Sequence, residues 1–137
     1  MRIANLEIHN FRGIKSCNLD FPVESRVICL IGAGDSTKST ILKAIEWNLW
    51  PTWNLVACDN DFYNGDTNSP IIIRGTFTEI PDALLAEDKF GLYLRSNGTE
   101  LNPDVNDEPV DGAPLCITIE LTINASLEPK WTVVCNR

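Results

Sequence analysis

Residues 31–42 read IGAGDSTKSTIL. Gly32, Gly34, Lys38, Ser39 and Thr40 stand almost at the spacing of a phosphate-binding loop. In such a loop successive backbone N–H groups wrap an anion, and the following helix adds the positive end of its dipole. The lysine neutralises the outer phosphates, and the hydroxyl after it ligates Mg²⁺. On this reading Gly32 opens the loop, and Ala33, Gly34, Asp35, Ser36 and Thr37 form its turn. Lys38 is the phosphate lysine, Ser39 is the Mg²⁺ ligand, and Thr40 reaches an inner phosphate.

One residue departs from the pattern. Thr37 stands where glycine normally precedes the lysine. If that position needs a positive φ, its β-branched side chain is strained by roughly 1–3 kcal/mol. Gly34 offers some flexibility earlier in the loop. Asp35 places a negative charge near phosphates, which is unfavourable unless it points away or caps a turn. Two readings therefore stand: a competent nucleotide site, and a loop that is only structural.

The surrounding pattern suits the first. IANLEIHNF alternates apolar and polar residues as a half-buried strand does. FRGI (11–14) breaks it at a glycine turn, and KSCNLDF (15–21) returns as an antiparallel partner. RVICLI (26–31) is a continuous apolar run, the pattern of a central buried strand. KSTILKAIEWNLW (38–50) places Ile41, Leu42, Ile45, Leu49 and Trp50 at helical spacing, and Pro51 ends it. Strand, loop and helix follow in the order a phosphate loop requires.

Residues 52–70 are turn-rich and acidic and read as a surface loop. IIIRGTFTEI (71–80) reads as a strand, and PDALLAEDKFG as a short helix starting at Pro81 or Asp82. LYLRS (92–96) reads as a strand ending at an Asn97–Gly98 turn. Residues 102–114, with three prolines, form a loop. LCITIELTI (115–123) and WTVVC (131–135) read as the last strands, paired across a Leu127–Pro129 turn.

Composition bounds the rest. The chain has 137 residues, 44% of them hydrophobic, which suits one domain with a core. It has no apolar run of the length a membrane helix needs, and MRIANLEIHNF lacks the core of a signal peptide. A soluble cytoplasmic protein is expected. Cys17, Cys29, Cys58, Cys116 and Cys135 are scattered and form no C-x-x-C, so they read as reduced and mostly core-filling. His9 is the sole histidine, which argues against zinc. Residues 1–50 carry six Lys/Arg and five Asp/Glu, whereas residues 51–137 carry five and fourteen. The second part is thus a poor nucleic-acid surface. Trp47, Trp50, Trp53 and Trp131 have no interleaved basic residues, so they read as packing rather than base stacking.

The first strand, NFRGI (10–14), the apolar run and the phosphate loop, all within forty residues, resemble the start of an ABC-type ATPase head of the OLD, RecF and SMC group. TFTEIPDALLAEDKFGLYLR (76–95) is similar to OLD-type ATPases. The resemblance implies an α/β fold: the N-terminal lobe of a P-loop head, with a mixed sheet, the phosphate-loop helix and an antiparallel β-lobe. It implies ATP and Mg²⁺ as cofactors, with Arg12, Gly32, Gly34, Lys38, Ser39 and Thr40 facing the nucleotide. It also implies ATP held between two copies, coupled to DNA repair or anti-phage defence, with DNA touched only indirectly.

Other parts of that family's pattern are missing. The chain contains no glutamine, so a Q-loop glutamine is absent; Thr78 or Glu79 is the nearest substitute. No serine-glycine-glycine signature occurs, and ITIE (117–120) is the nearest approach to a hydrophobic run ending in acids. Residues 1–137 are therefore expected to be one partial ATPase domain. Its divisions are 1–50 with the loop and helix, 51–70 as a loop, and 71–137 as mainly β. Hydrolysis then needs the remainder of the head or a partner chain. The rivals are a non-catalytic interaction module and a small P-loop kinase or GTPase. The second lacks an N-K-x-D string and an arginine-rich lid.

Overall fold

The computed structural model describes all residues except 23, 35–36, 87–90, 98–104 and 136–137. Strand β1 (Arg2–Phe11) buries Leu6, Ile8 and Phe11 on one face. It turns at Arg12–Gly13 into β2 (Ile14–Asp20), with Phe11 opposite Ile14. On its other side β1 pairs with β3 (Ile71–Thr78), and β3 with β5 (Leu115–Ile123). The sheet runs β2-β1-β3-β5-β4, where β4 is only Arg95–Ser96, and β6 (Pro129–Val133) also pairs with β5. Every described pairing between strands is antiparallel.

The register is pinned on the polar face. Glu7, Arg74 and Glu120 lie directly opposite one another on three strands. Arg74 bonds Glu120 through Nε at 2.8 Å and Glu7 through Nη1 at 3.2 Å. Partial burial pulls the Arg74 pKa down, but the two carboxylates outweigh it, so it is raised above its ordinary value. A one-residue slip would separate all three charges and turn the apolar face to water.

Helix α1 (Lys38–Asn48) lies on the apolar face. It buries Ala44, Trp47 and Asn48, and Ile41 and Ile45 pack at its flanks. The inward stripe is thus rotated from the expected one: Ile41, Ile45 and Trp50 pack against the core, but Leu42 is 61% exposed, and Leu49 is also exposed. The reason is Trp47, whose ring sits 4.9 Å from that of Phe11 and sets the rotation of the helix. Asn48 Nδ2 donates to the carbonyls of Ile73 and Ile119, at 3.0 and 2.9 Å. Gly75 makes room for it, because a Cβ there would lie 2.7 Å from Asn48 Oδ1.

Two expectations differ more strongly. Residues 26–31 form no strand and have no ladder partner among the described residues. Val27 is 75% and Ile31 92% exposed. Apolar content alone does not bury a strand; it needs neighbouring strands on both edges. Residues 52–70 are not merely a surface loop. Leu55, Ala57 and Phe62 enter the core, and two short 3-10 turns shape the segment. Phe62 bridges Phe11, closing the end of β1.

Smaller shifts follow the same logic. Residues 91–93 form a 3-10 turn, so the expected strand shrinks to Arg95–Ser96; Gly98 lies outside the described residues. Helix α2 (Asp82–Leu85) begins after Pro81, as expected. Leu127, at φ 62°, makes the turn before β6, which starts at Pro129 rather than 131. None of the five cysteines is in a disulfide, but only Cys116 is buried, and Cys29 and Cys58 are exposed. No described helix is long and apolar enough to cross a membrane.

Two predictions follow from this packing. Asn48→Ala strands two strand carbonyls and should cost about 2 kcal/mol of stability in a urea titration. Burial pushes the Cys116 thiol up to about 11 from 9.0, against the opposing pull of Arg95. The unfolded chain ionises first, so this thiol contributes fully below the unfolded value and withdraws stability as pH rises towards 11. Wild type should therefore lose more stability over that alkaline range than Cys116→Ala.

Candidate functional site

The loop 32–34 is exposed and leads into the first turn of α1. Thr37 is the helix N-cap, and its carbonyl accepts the first helical bond from Ile41 N–H at 3.0 Å. The N–H groups before Ile41 have no helical acceptor, so the start of this 11-residue helix is an anion-attracting end. Ser39 is exposed there and Thr40 half-buried, and no acidic side chain lies in the first turn.

Thr37 has φ −80° and ψ 20°. The strain expected of a β-branched residue at positive φ is therefore absent. The glycine-to-threonine change costs the backbone nothing in this conformation.

Lys38 folds over its own loop. Its Nζ donates to the carbonyls of Gly32 at 2.7 Å and Ala33 at 2.6 Å. A trans peptide points its N–H opposite to its carbonyl. The N–H groups of Ala33 and Gly34 thus face away from the ammonium, and wrapping an anion beside Lys38 requires those two peptides to turn. Asp35 and Ser36 lie outside the described residues.

Arg12 comes to the same end of the sheet. A Cβ on Gly13 would lie 3.1 Å from Thr37 Cγ2, so the 12–13 turn packs directly on the helix cap. Arg12 itself has φ 50°. Its guanidinium lies 5.2 Å from the Phe11 ring and 5.5 Å from the Trp47 ring, along the flank of α1. Its Nε donates to Asp61 Oδ1 at 3.0 Å, and its backbone N–H to the Asp61 carbonyl at 2.8 Å.

Thr78 and Glu79 do not join this group. Thr78 pairs with Arg2, at the opposite end of β1 from Phe11. Nine residue steps along β1 separate the two ends, about 30 Å. Glu79 instead lies near Arg2 and Arg26, at 4.0 and 3.9 Å. Neither can replace a glutamine at the loop.

Asp61 carries no sequence signal of its own, since Asp59, Asp61 and Asp66 all read as solvated loop charges. The apolar Phe62 beside it is the one hint that this stretch turns inward.

Residues 1–120 match the model of the AAA ATPase domain. The chain belongs to that family. It is also similar to a solved structure from work on ATP-driven dimerization and DNA-stimulated activation of SMC ATPases. The TM-score is 0.59 and the identity 16%, covering 100% of this chain and 72% of that one. At that identity the likeness is one of fold: an α/β lobe with an antiparallel sheet, as in the N-terminal lobe of such a head. No curated protein matches the sequence. The match extends over the loop and the 12–13 turn of this AAA ATPase domain, so the elements that carry the candidate site are elements of the family fold.

Because Thr37 is unstrained, Thr37→Gly should lower stability by about 0.5 kcal/mol through added backbone freedom. A rise in thermal midpoint would instead reveal strain at the cap.

Proposed function

We propose that this chain binds Mg-ATP as the N-terminal lobe of an ATPase head of the OLD/RecF/SMC kind. The observation that carries this is the placement of Lys38 and Ser39 in the first turn of α1, directly after the exposed glycine loop. In this reading the loop backbone from Gly32 to Thr37 and the Lys38 ammonium hold the phosphates, with Thr40 beside them. Ser39 supplies an oxygen to Mg²⁺, and Arg12 adds a fixed positive charge. The metal would neutralise phosphate charge and orient the outer phosphate.

Residues 1–137 form a partial domain in this proposal, and hydrolysis falls to the remainder of the head or a second chain. Exposed apolar surface supports it. Val27, Ile31 and Leu42 are large apolar side chains left exposed. Beyond the end of α1, a cleft of about 540 Å³ is lined by Trp50, Trp53, Ile117, Ile119, Trp131 and Val133. Surfaces of this kind are ordinarily covered by another protein segment. A homo-oligomer of the full protein, cytoplasmic and acting in DNA repair or anti-phage defence, is the wider setting proposed.

One observation favours a second reading, a purely structural loop. The Gly32 and Ala33 carbonyls, rather than N–H groups, face Lys38. Calorimetric titration of Mg-ATP into the chain separates the two. Binding that weakens at least tenfold in Lys38→Ala is the expected result. Identical heats for both proteins would leave the loop structural. Turnover of ATP by this chain alone would overturn the division of labour.

A further inference from the structure

The segment 58–62 lies far from the phosphate loop in sequence, yet it grips one of the residues proposed to serve it. Asp61 is buried, with its side chain only 11% exposed, and a carboxylate so placed must be compensated. Its Oδ1 accepts from Arg12 Nε at 3.0 Å. Its Oδ2 accepts from the Cys58 backbone N–H at 3.0 Å and from the Cys58 thiol at 3.3 Å. Its carbonyl accepts from Arg12 N–H, and its own N–H donates to the Cys58 carbonyl at 2.9 Å. Every polar atom of Asp61 is engaged, and two of them hold Arg12.

The backbone of Arg12 shows why such a grip is needed. In the two-residue turn the left-handed conformation falls on Arg12, at φ 50°, although Gly13 stands beside it. A glycine would hold that conformation without strain; an arginine does not. Gly13 is spent otherwise, on the close approach to Thr37. The turn therefore places its strain on the charged residue, and strained positions of this kind gather at functional sites.

The guanidinium is also held in a particular way. Its Cζ lies over the Phe11 and Trp47 rings, and Asp61 takes the Nε–H. The two terminal amino groups make no hydrogen bond to described residues, and the side chain stays 38% exposed. A pair serving stability alone gains most from a fork bonded to both carboxylate oxygens. Here the second oxygen goes to Cys58, and the arginine keeps the donors that suit a phosphate.

We infer that Asp61 is the positioning residue for Arg12. It holds the guanidinium by Nε and backbone so that the terminal amino groups face a nucleotide phosphate at the loop. The inference rests on the Mg-ATP reading above. It brings residues 58–62 into the site as its far wall.

The test combines Mg-ATP calorimetry on the full chain with NMR of the Arg12 Nε–H signal. Asp61→Asn should weaken Mg-ATP about tenfold, as Arg12→Ala does, and combining the two should weaken it no further. Without nucleotide, the Arg12 Nε–H signal should shift or broaden in Asp61→Asn. In wild type, where no variant need fold, added Mg-ATP should move the terminal amino signals of Arg12 and leave its Nε–H in place. Additive losses, wild-type affinity in Asp61→Asn, or terminal signals unmoved by bound Mg-ATP would overturn the inference. Its failure is distinct from that of the nucleotide reading, which falls if wild type itself gives no binding.

Discussion

The docking of α1 on the sheet is the constraint on which the rest depends. Trp47 meets Phe11 at 4.9 Å, and the Asn48 amide spans the carbonyls of β3 and β5. One contact is apolar and tolerant of small shifts; the other is directional and is not. Together they set the rotation and height of the helix. They thereby set where its N-terminus, and so Lys38 and Ser39, comes to lie. Trp131 adds a brace, donating its indole N–H to the Trp47 carbonyl at 3.1 Å. A loop of this kind is useful only if the helix behind it is fixed, and this helix is fixed from its far end.

The candidate site is then assembled at one end of β1 from three separate stretches. The 12–13 turn, the loop with the start of α1, and the 58–62 segment meet because β1 ends where the helix begins. Gly13 against Thr37 joins the first two, and Arg12 with Asp61 joins the first and third. Charge compensation is arranged locally as well. The buried Asp61 carboxylate faces Arg12, and the polar face of the sheet answers Arg74 with Glu7 and Glu120. Buried or half-buried charge thus acts as a register device in two places, once between strands and once between a turn and a loop.

The exposed apolar surface is the counterpart of this order. Val27 and Ile31, on the segment before the loop, and Leu42, on the outer flank of the helix, all have the chemistry of interior residues. In sequence they flank the glycine-lysine-serine loop on both sides.

The sequence by itself determined the local units. Alternation defined β1, the glycine turn after it suggested β2, strand-like runs marked β3 and β5, helical spacing with Pro51 bounded α1, and the glycine-lysine-serine string marked the loop and its order in the fold. These are properties of near neighbours, and a period of two or 3.6 is enough to read them. Tertiary structure decided what depends on partners distant in sequence. The apolar run 26–31 reads as a buried strand, but burial requires strands beside it, which pattern cannot supply. The inward stripe of α1 was settled by Trp47 finding Phe11, not by the count of leucines. Thr37 escaped strain because the chain enters the helix at φ −80°, which composition does not specify. Asp61 looked like any loop acid until Arg12, 49 positions away, came to its side chain. Charges separated that far attract only once the fold has removed the water between them, and that is why no spacing rule reveals the pair.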